Sequence, residues 1–148
     1  MNIYVGADHN GFAYKQAIVA FLTKSGYSVV DVGDLKRDPE DDFPVFAKGA
    51  VTKLLGDPDT MSRAILICGS GQGMAMAANR FKGIRAALCW NLNEARSSRN
   101  DDDSNVLCLS AQNVDQKEAQ TITMAWLNTP FAGAPRFRRR LEQMDTLG

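Results

Sequence analysis

Three stretches of the chain carry side chains whose types and spacing could do chemistry. In Cys68-Gly69-Ser70-Gly71-Gln72-Gly73 a thiol stands directly before a glycine-rich turn. Amides in such a turn, opening a helix, can bind an oxyanion or a phosphate, and they favour a neighbouring thiolate, a usable base or nucleophile. Taken alone, Cys68 equally suits a small buried apolar side chain, and Cys89 and Cys108, in or beside apolar runs, fit that description better. Asp8-His9-Asn10-Gly11 follows an apolar run near the start, where Asp8 is either a helix cap or a ligand-facing carboxylate and His9 either a plain loop residue or a ligand contact. Arg136 and Arg140 stand one helical turn apart, so on a helix both guanidinium groups leave one face and fit a dianionic phosphate. The run Arg136-Phe137-Arg138-Arg139-Arg140 also fits a solvated or nucleic-acid-contacting face, and Arg96 and Arg99 either supplement the clamp or serve as surface charges.

Composition narrows these options. The chain has 148 residues, 45% hydrophobic and 23% charged, the balance of a single globular domain spanning 1–148. Seventeen basic and seventeen acidic residues cancel, so nothing draws the whole molecule toward nucleic acid or a membrane surface, and an anion must be held locally. One histidine and no C-x-x-C pair exclude a histidine-rich or zinc-ribbon metal site, and three cysteines suit a reducing compartment. No apolar run is long enough for a membrane span and no signal-type segment opens the chain, which makes the expected location the cytoplasm. The glycine turn lacks the Gly-Lys-Ser/Thr of a phosphate loop. The next strand ends Leu88-Cys89-Trp90 with no acid to hold a ribose, so no dinucleotide cofactor is expected. Trp90, Trp126, Phe12 and Phe137 read as packing residues.

The elements that must position these groups follow from periodicity. Residues 2–6, Tyr27–Val32, Arg63–Cys68, Ile84–Leu88 and Val106–Leu109 read as five short strands. Helical spacing joins Phe12, Ala13, Ile18, Phe21 and Leu22, then Val45, Phe46, Ala50, Val51, Leu54 and Leu55. Further helices are expected at Met74–Arg80, Leu92–Asn100 and Val114–Leu127, the last with Ala119, Ile122, Thr123 and Trp126 on one face. A final helix begins near Arg136 and ends before Gly148. Gly33–Pro44, with five acidic residues, reads as a solvated loop. Strands alternating with helices predict an open Rossmann-like parallel sheet with helices on both faces, a three-layer α/β sandwich. Its ligand rim would gather the Gly6–Gly11 loop, the Gly69–Gly73 loop and the segment after Leu88.

Taken together, Gly6-Ala7-Asp8-His9-Asn10-Gly11-Phe12, Ile67 to Gly73 with Ala77-Ala78-Asn79-Arg80, Gly83-Ile84-Arg85-Ala86, Ser104-Asn105-Val106-Leu107, and Arg136 with Arg140 resemble the type B ribose-5-phosphate and galactose-6-phosphate isomerase family. The likeness runs in order through nearly the whole chain. It implies metal-free, cofactor-free interconversion of aldose and ketose phosphates in a homodimer or tetramer, with sites at the subunit interface. The segment from about residue 129 would then pack on a partner. By the resemblance Cys68 is the base that carries a proton between C1 and C2 through a cis-enediolate, and Gly69, Gly71 and Gly73 supply amides for the oxyanion. Ser70 lies beside the reacting carbons, Asp8 and His9 contact the sugar phosphate, and Arg136 and Arg140 bind its phosphate.

The chain departs from the family pattern in ways that bear on the substrate. The glutamate that some relatives use as base is Met74 here, which leaves the role to Cys68. Asp101-Asp102 stand where a His-Asn pair is usual, Gln112 replaces an arginine, and Phe137 replaces a histidine. Asp101 is then the candidate for ring opening and Asp102 for substrate contact, although the acidic cluster also fits a solvated helix end. Ribose 5-phosphate is the default substrate. A tetrose 4-phosphate, which cannot close to a furanose, a hexose 6-phosphate, or a non-catalytic sugar-phosphate-binding role are the alternatives.

Overall fold

The computed structural model describes residues 1–148. Strands β1 (Asn2–Ala7), β2 (Ser28–Asp31), β3 (Arg63–Cys68), β4 (Ala86–Leu88) and β5 (Val106–Ser110) form one parallel sheet in the order β2-β1-β3-β5-β4. Every residue of β3 and β5 is buried, which is why these runs are continuously apolar rather than alternating. The edge strands β2 and β4 are only partly covered. Asn79 guards the β4 edge: its amide donates to the Ala86 carbonyl at 2.9 Å and accepts the Ala86 N–H at 2.8 Å, taking up main-chain groups that would otherwise invite another strand.

Helices α1 (Phe12–Lys24), α4 (Leu92–Asn100) and α5 (Gln116–Asn128) cover one face, where Ile18, Leu22, Ala95, Ala119, Ile122 and Trp126 meet Ile3, Val5, Ile65 and Leu107. Helices α2 (Phe43–Gly56) and α3 (Gln72–Ala78) cover the other through Phe46, Ala50, Val51, Leu54, Met74 and Ala78. The three-layer sandwich expected from the alternation is therefore present. On α5 the buried set is Ala119, Ile122, Thr123 and Trp126, as its spacing predicts, and an Asp115/Glu118 capping box fixes the helix start. Elsewhere the pattern overreaches: Ala13, Val45 and Leu55 face solvent although their spacing assigned them to the core. Trp90, expected to pack, is 55% exposed. A last helix, α6 (Pro135–Met144), buries only Phe137. No helix is long and apolar enough to cross a membrane.

Each helix α1–α5 returns antiparallel to the strands, so the loops divide between two rims. The turns after β1, β3, β4 and β5 open at the carboxyl ends of the strands. The ends of α3 and α4 and the start of α6 lie at the amino ends. The strand order reverses between β1 and β3, which opens a crevice between their carboxyl ends.

Candidate functional site at the sheet switch point

Cys68 ends β3 in that crevice, 5% exposed, with its side chain toward the α2/α3 layer. The Gly71 amide donates to its Sγ at 3.2 Å, a hydrogen bond that strengthens as the sulfur gains negative charge. The turn can make this contact because Gly71 takes a left-handed conformation, φ +76°, where an added Cβ would stand 2.5 Å from Leu88 Cδ1. Gly69 is anchored through its carbonyl, which accepts from Ser110 Oγ at 2.8 Å and from the Gln112 amide at 3.0 Å. Ser70 Oγ accepts the Gln72 N–H at 3.3 Å. The Phe43 ring lies against Gly73. The amides of Ser70 and Gly73 donate to no group of the chain, so they remain available to a ligand.

The β1–α1 loop closes the other side. The Asp8 main-chain N–H donates to the Ile67 carbonyl at 3.3 Å, which ties the loop to the end of β3. One Asp8 oxygen accepts the Asn10 and Gly11 amides at 3.0 and 3.1 Å, whereas α1 begins at Gly11 with no side-chain cap, so Asp8 shapes the loop and does not cap the helix. His9 Nδ1 lies 2.7 Å from Asp41 Oδ1. Asp41 belongs to the loop read as merely solvated, yet its side chain is 8% exposed. Asp8, His9 and Asp41 bring their ligand atoms within 4.8 Å of one another, the one arrangement in the chain compact enough for a cation, although His9 and Asp41 already satisfy each other.

The remaining candidates stand at the opposite rim. Asp101 and Asp102 follow α4, which ends at the amino side of the sheet, and Ala132 N–H bonds the Asn100 carbonyl there at 3.0 Å, placing the start of the arginine segment beside them. Burial and neighbouring Asp101 raise the Asp102 pKa, while the Arg140 charge opposes the shift. Arg136 is exposed and stacks on Phe137 at 4.4 Å. A cleft of about 790 Å³ is on this side too, between Arg80–Ala87 and the Met144–Gly148 end. Six residues of β3 at about 3.3 Å each separate the rims by about 20 Å, farther than a five-carbon sugar phosphate reaches. Arg99, read either as a supplement to the clamp or as a surface charge, is buried: its Nη1 donates to Asp103 at 2.7 Å and to the Ser104 carbonyl at 2.6 Å. Cys89 and Cys108 are sealed in the core, where burial pushes the Cys89 thiol up to about 11 and Cys108 higher still.

A doubly wound sheet with a thiol, ligand-free amides and an Asp-His pair at its switch point defines the class: an α/β enzyme that handles a small ligand at the carboxyl ends of its strands. Residues 3–144 match the ribose/galactose isomerase family. Ribose-5-phosphate isomerase B of Mycolicibacterium paratuberculosis is 37% identical over 142 residues, covering 96% of this chain and 88% of that protein. The crystal structure of ribose-5-phosphate isomerase B from Mycoplasma genitalium with bound ribulose-5-phosphate is 38% identical, with a TM-score of 0.93 and coverage of 97% of this chain and 93% of that one. The Clostridium thermocellum ribose-5-phosphate isomerase B structure gives 36% and 0.92, covering 98% and 95%. The chain belongs to the ribose/galactose isomerase family, and it is an isomerase.

Proposed function

We propose that the protein interconverts an aldose phosphate and its ketose, with ribose 5-phosphate and ribulose 5-phosphate as the default pair, and that Cys68 is the base. The observation that carries this reading is the Gly71 amide on Cys68 Sγ at the switch point, beside the free amides of Ser70 and Gly73. The thiolate removes the proton from C2 of the open-chain aldose, and the electron pair moves toward C1 so that the carbonyl oxygen becomes an oxyanion. Main-chain N–H groups stabilise that charge where it develops. The thiol then returns the proton to C1 as the O2 proton leaves, with the Ser70 hydroxyl placed to relay protons between O1 and O2. Asp8 and His9 hold the sugar phosphate. Arg136 and Arg140 grip phosphate in the site of a second copy, because within one chain they stand a full strand length from Cys68. That requirement supports a homodimer, with the segment from about residue 129 packed on its partner.

A second reading concerns the substrate. His9 is the chain's one histidine and is held by Asp41, so opening a furanose ring falls to Asp101 of a second copy, beside its arginine pair, or is not needed at all. A tetrose 4-phosphate, always open, removes the need. The test for both is exchange in deuterated water with ribose 5-phosphate and erythrose 4-phosphate. Deuterium is expected at C1 or C2 of at least one of them, and Cys68→Ala is expected to reduce exchange by about 10²–10⁴-fold. Near-normal exchange in the variant moves the base elsewhere, and failure of the parent on both sugars overturns both substrate readings.

A further inference from the structure

His9 is held by a residue 32 positions away. Asp41 Oδ1 lies 2.7 Å from His9 Nδ1 and also accepts the His9 main-chain N–H at 3.0 Å. An ionised carboxylate can only accept, so Nδ1 must carry a hydrogen and Nε2 is the ring atom left for a ligand. Both side chains are enclosed, Asp41 more than His9, at 8% and 24% exposed. The loop carrying Asp41 is itself pinned. Buried Lys15 donates through Nζ to both Asp31 oxygens, at 2.9 and 2.8 Å, and to the Asp34 carbonyl at 2.8 Å, where that loop begins. Further along, Arg37 Nε donates to the His9 carbonyl at 3.3 Å. The charged groups around the imidazole are thus Asp41 on Nδ1, Asp8 beside it, and Arg37 over its main chain.

We propose that Asp41 is a positioning residue of this isomerase: it locks His9 in the Nδ1–H form with Nε2 presented as an acceptor to a hydroxyl of the substrate. The proposal rests on the reading above that His9 contacts substrate. Fixing a ring's orientation and tautomer removes the loss of affinity that a freely rotating imidazole would bring.

A chain with one histidine makes the test direct, since nitrogen NMR of the imidazole needs no assignment. At alkaline pH the parent and Asp41→Asn, whose amide oxygen can still accept from Nδ1, should show the Nδ1–H tautomer. Asp41→Ala should shift toward Nε2–H. With ribose 5-phosphate, Asp41→Ala is expected to raise KM about tenfold with a smaller change in kcat, and Asp41→Asn to stay within about threefold of the parent. In a His9→Ala background the same Asp41→Ala change should cost markedly less, only what its bond to the main-chain N–H of residue 9 contributes. An Nε2–H tautomer in the parent, or an undiminished Asp41→Ala loss without His9, overturns the proposal. No turnover by the parent would instead count against the substrate reading, and the tautomer would still decide the role of Asp41.

Discussion

The two rims of the sheet differ in what their polar groups leave free. At the carboxyl ends a thiol, an imidazole and main-chain amides stand beside the Asp8 and Asp41 carboxylates, and several keep a free donor or acceptor: the Ser70 and Gly73 N–H groups and His9 Nε2. At the amino ends charge meets charge. Arg85 and Arg99 share Asp103, Arg99 also donates to the Thr129 carbonyl, and the Asp101 and Arg140 charges act on Asp102. Asp103 accepts a left-handed backbone, φ +46°, to stand between its two arginines. The first rim can move a proton but lacks the paired guanidinium groups suited to a phosphate dianion. The second has that pair but no acid–base group beside free amides. On the proposed function each end is half of a sugar-phosphate isomerase, and two copies would be needed to bring the halves together.

Mixing two crippled chains gives the largest expected effect on that comparison. Cys68→Ala removes the proposed base, and Arg136→Ala with Arg140→Ala removes the proposed clamp, so each protein alone should be nearly inactive. After co-refolding in equal amounts, half of the dimers pair one of each. In every such dimer one of two sites has both an intact thiol and intact arginines, so about a quarter of parental activity should return. If mixing restores nothing, the arginines serve the thiol of their own chain or none.

How much of this was legible in the sequence depends on whether a residue's role is local. The strands and α5 were readable because burial imposes a period on neighbours: Ala119, Ile122, Thr123 and Trp126 must share a face whatever they pack against. The Cys68 turn was readable for the same reason, since its glycines and thiol act on each other within six residues. Asp41 was not. It is one of five acids in a loop, and only the return of that loop over β1 singles it out. Nor does spacing single out Lys15, whose burial depends on Asp31 and the Asp34 carbonyl more than a dozen residues on. Arg99 precedes three aspartates and Arg136 opens a basic run, yet the first is buried and the second exposed, a difference made in part by carbonyls from Ser104 and Thr129 that spacing cannot announce.

Two glycines sharpen the contrast at intermediate magnitude. Gly71 and Gly83 both have positive φ, +76° and +85°, one at each rim. A Cβ on Gly71 would collide with Leu88 and approach the Leu109 carbonyl at 3.0 Å, while on Gly83 its nearest neighbour is Leu55 Cδ2 at 3.5 Å. Gly83→Ala should therefore cost only backbone strain, about 1 kcal/mol, with activity kept. Gly71→Ala adds a steric clash, at least about 2 kcal/mol in total, and draws the amide away from Cys68 Sγ, so exchange activity should fall as well. Chemical denaturation and deuterium exchange on both variants separate the two terms. Equal losses of stability and activity would mean that the carboxyl rim is no more finely built than the amino one.

The smallest effect belongs to the amino rim and concerns pH. Asp57 closes α2, where an unpaired carboxylate would oppose the helix dipole. It is held well below the usual carboxylate range, chiefly by the hydrogen bond from the Asn2 side chain at 3.0 Å, with the Asp59 amide at 2.9 Å and the Tyr4 hydroxyl at 2.8 Å adding to it. A carboxyl whose folded pKa is depressed lends its stabilisation in full above the unfolded value of about 3.9 and loses it as the pH falls through the folded value. Asp57→Asn should thus lower Tm at neutral pH, and the gap from the parent should close as the solution is taken below about pH 4. Activity should not change, because Asp57 bonds only Asn2, Tyr4 and the Asp59 amide and touches neither Cys68 nor the arginine pair. A gap that stayed constant with pH would assign the contribution of Asp57 to the shape of its hydrogen bonds and not to its charge.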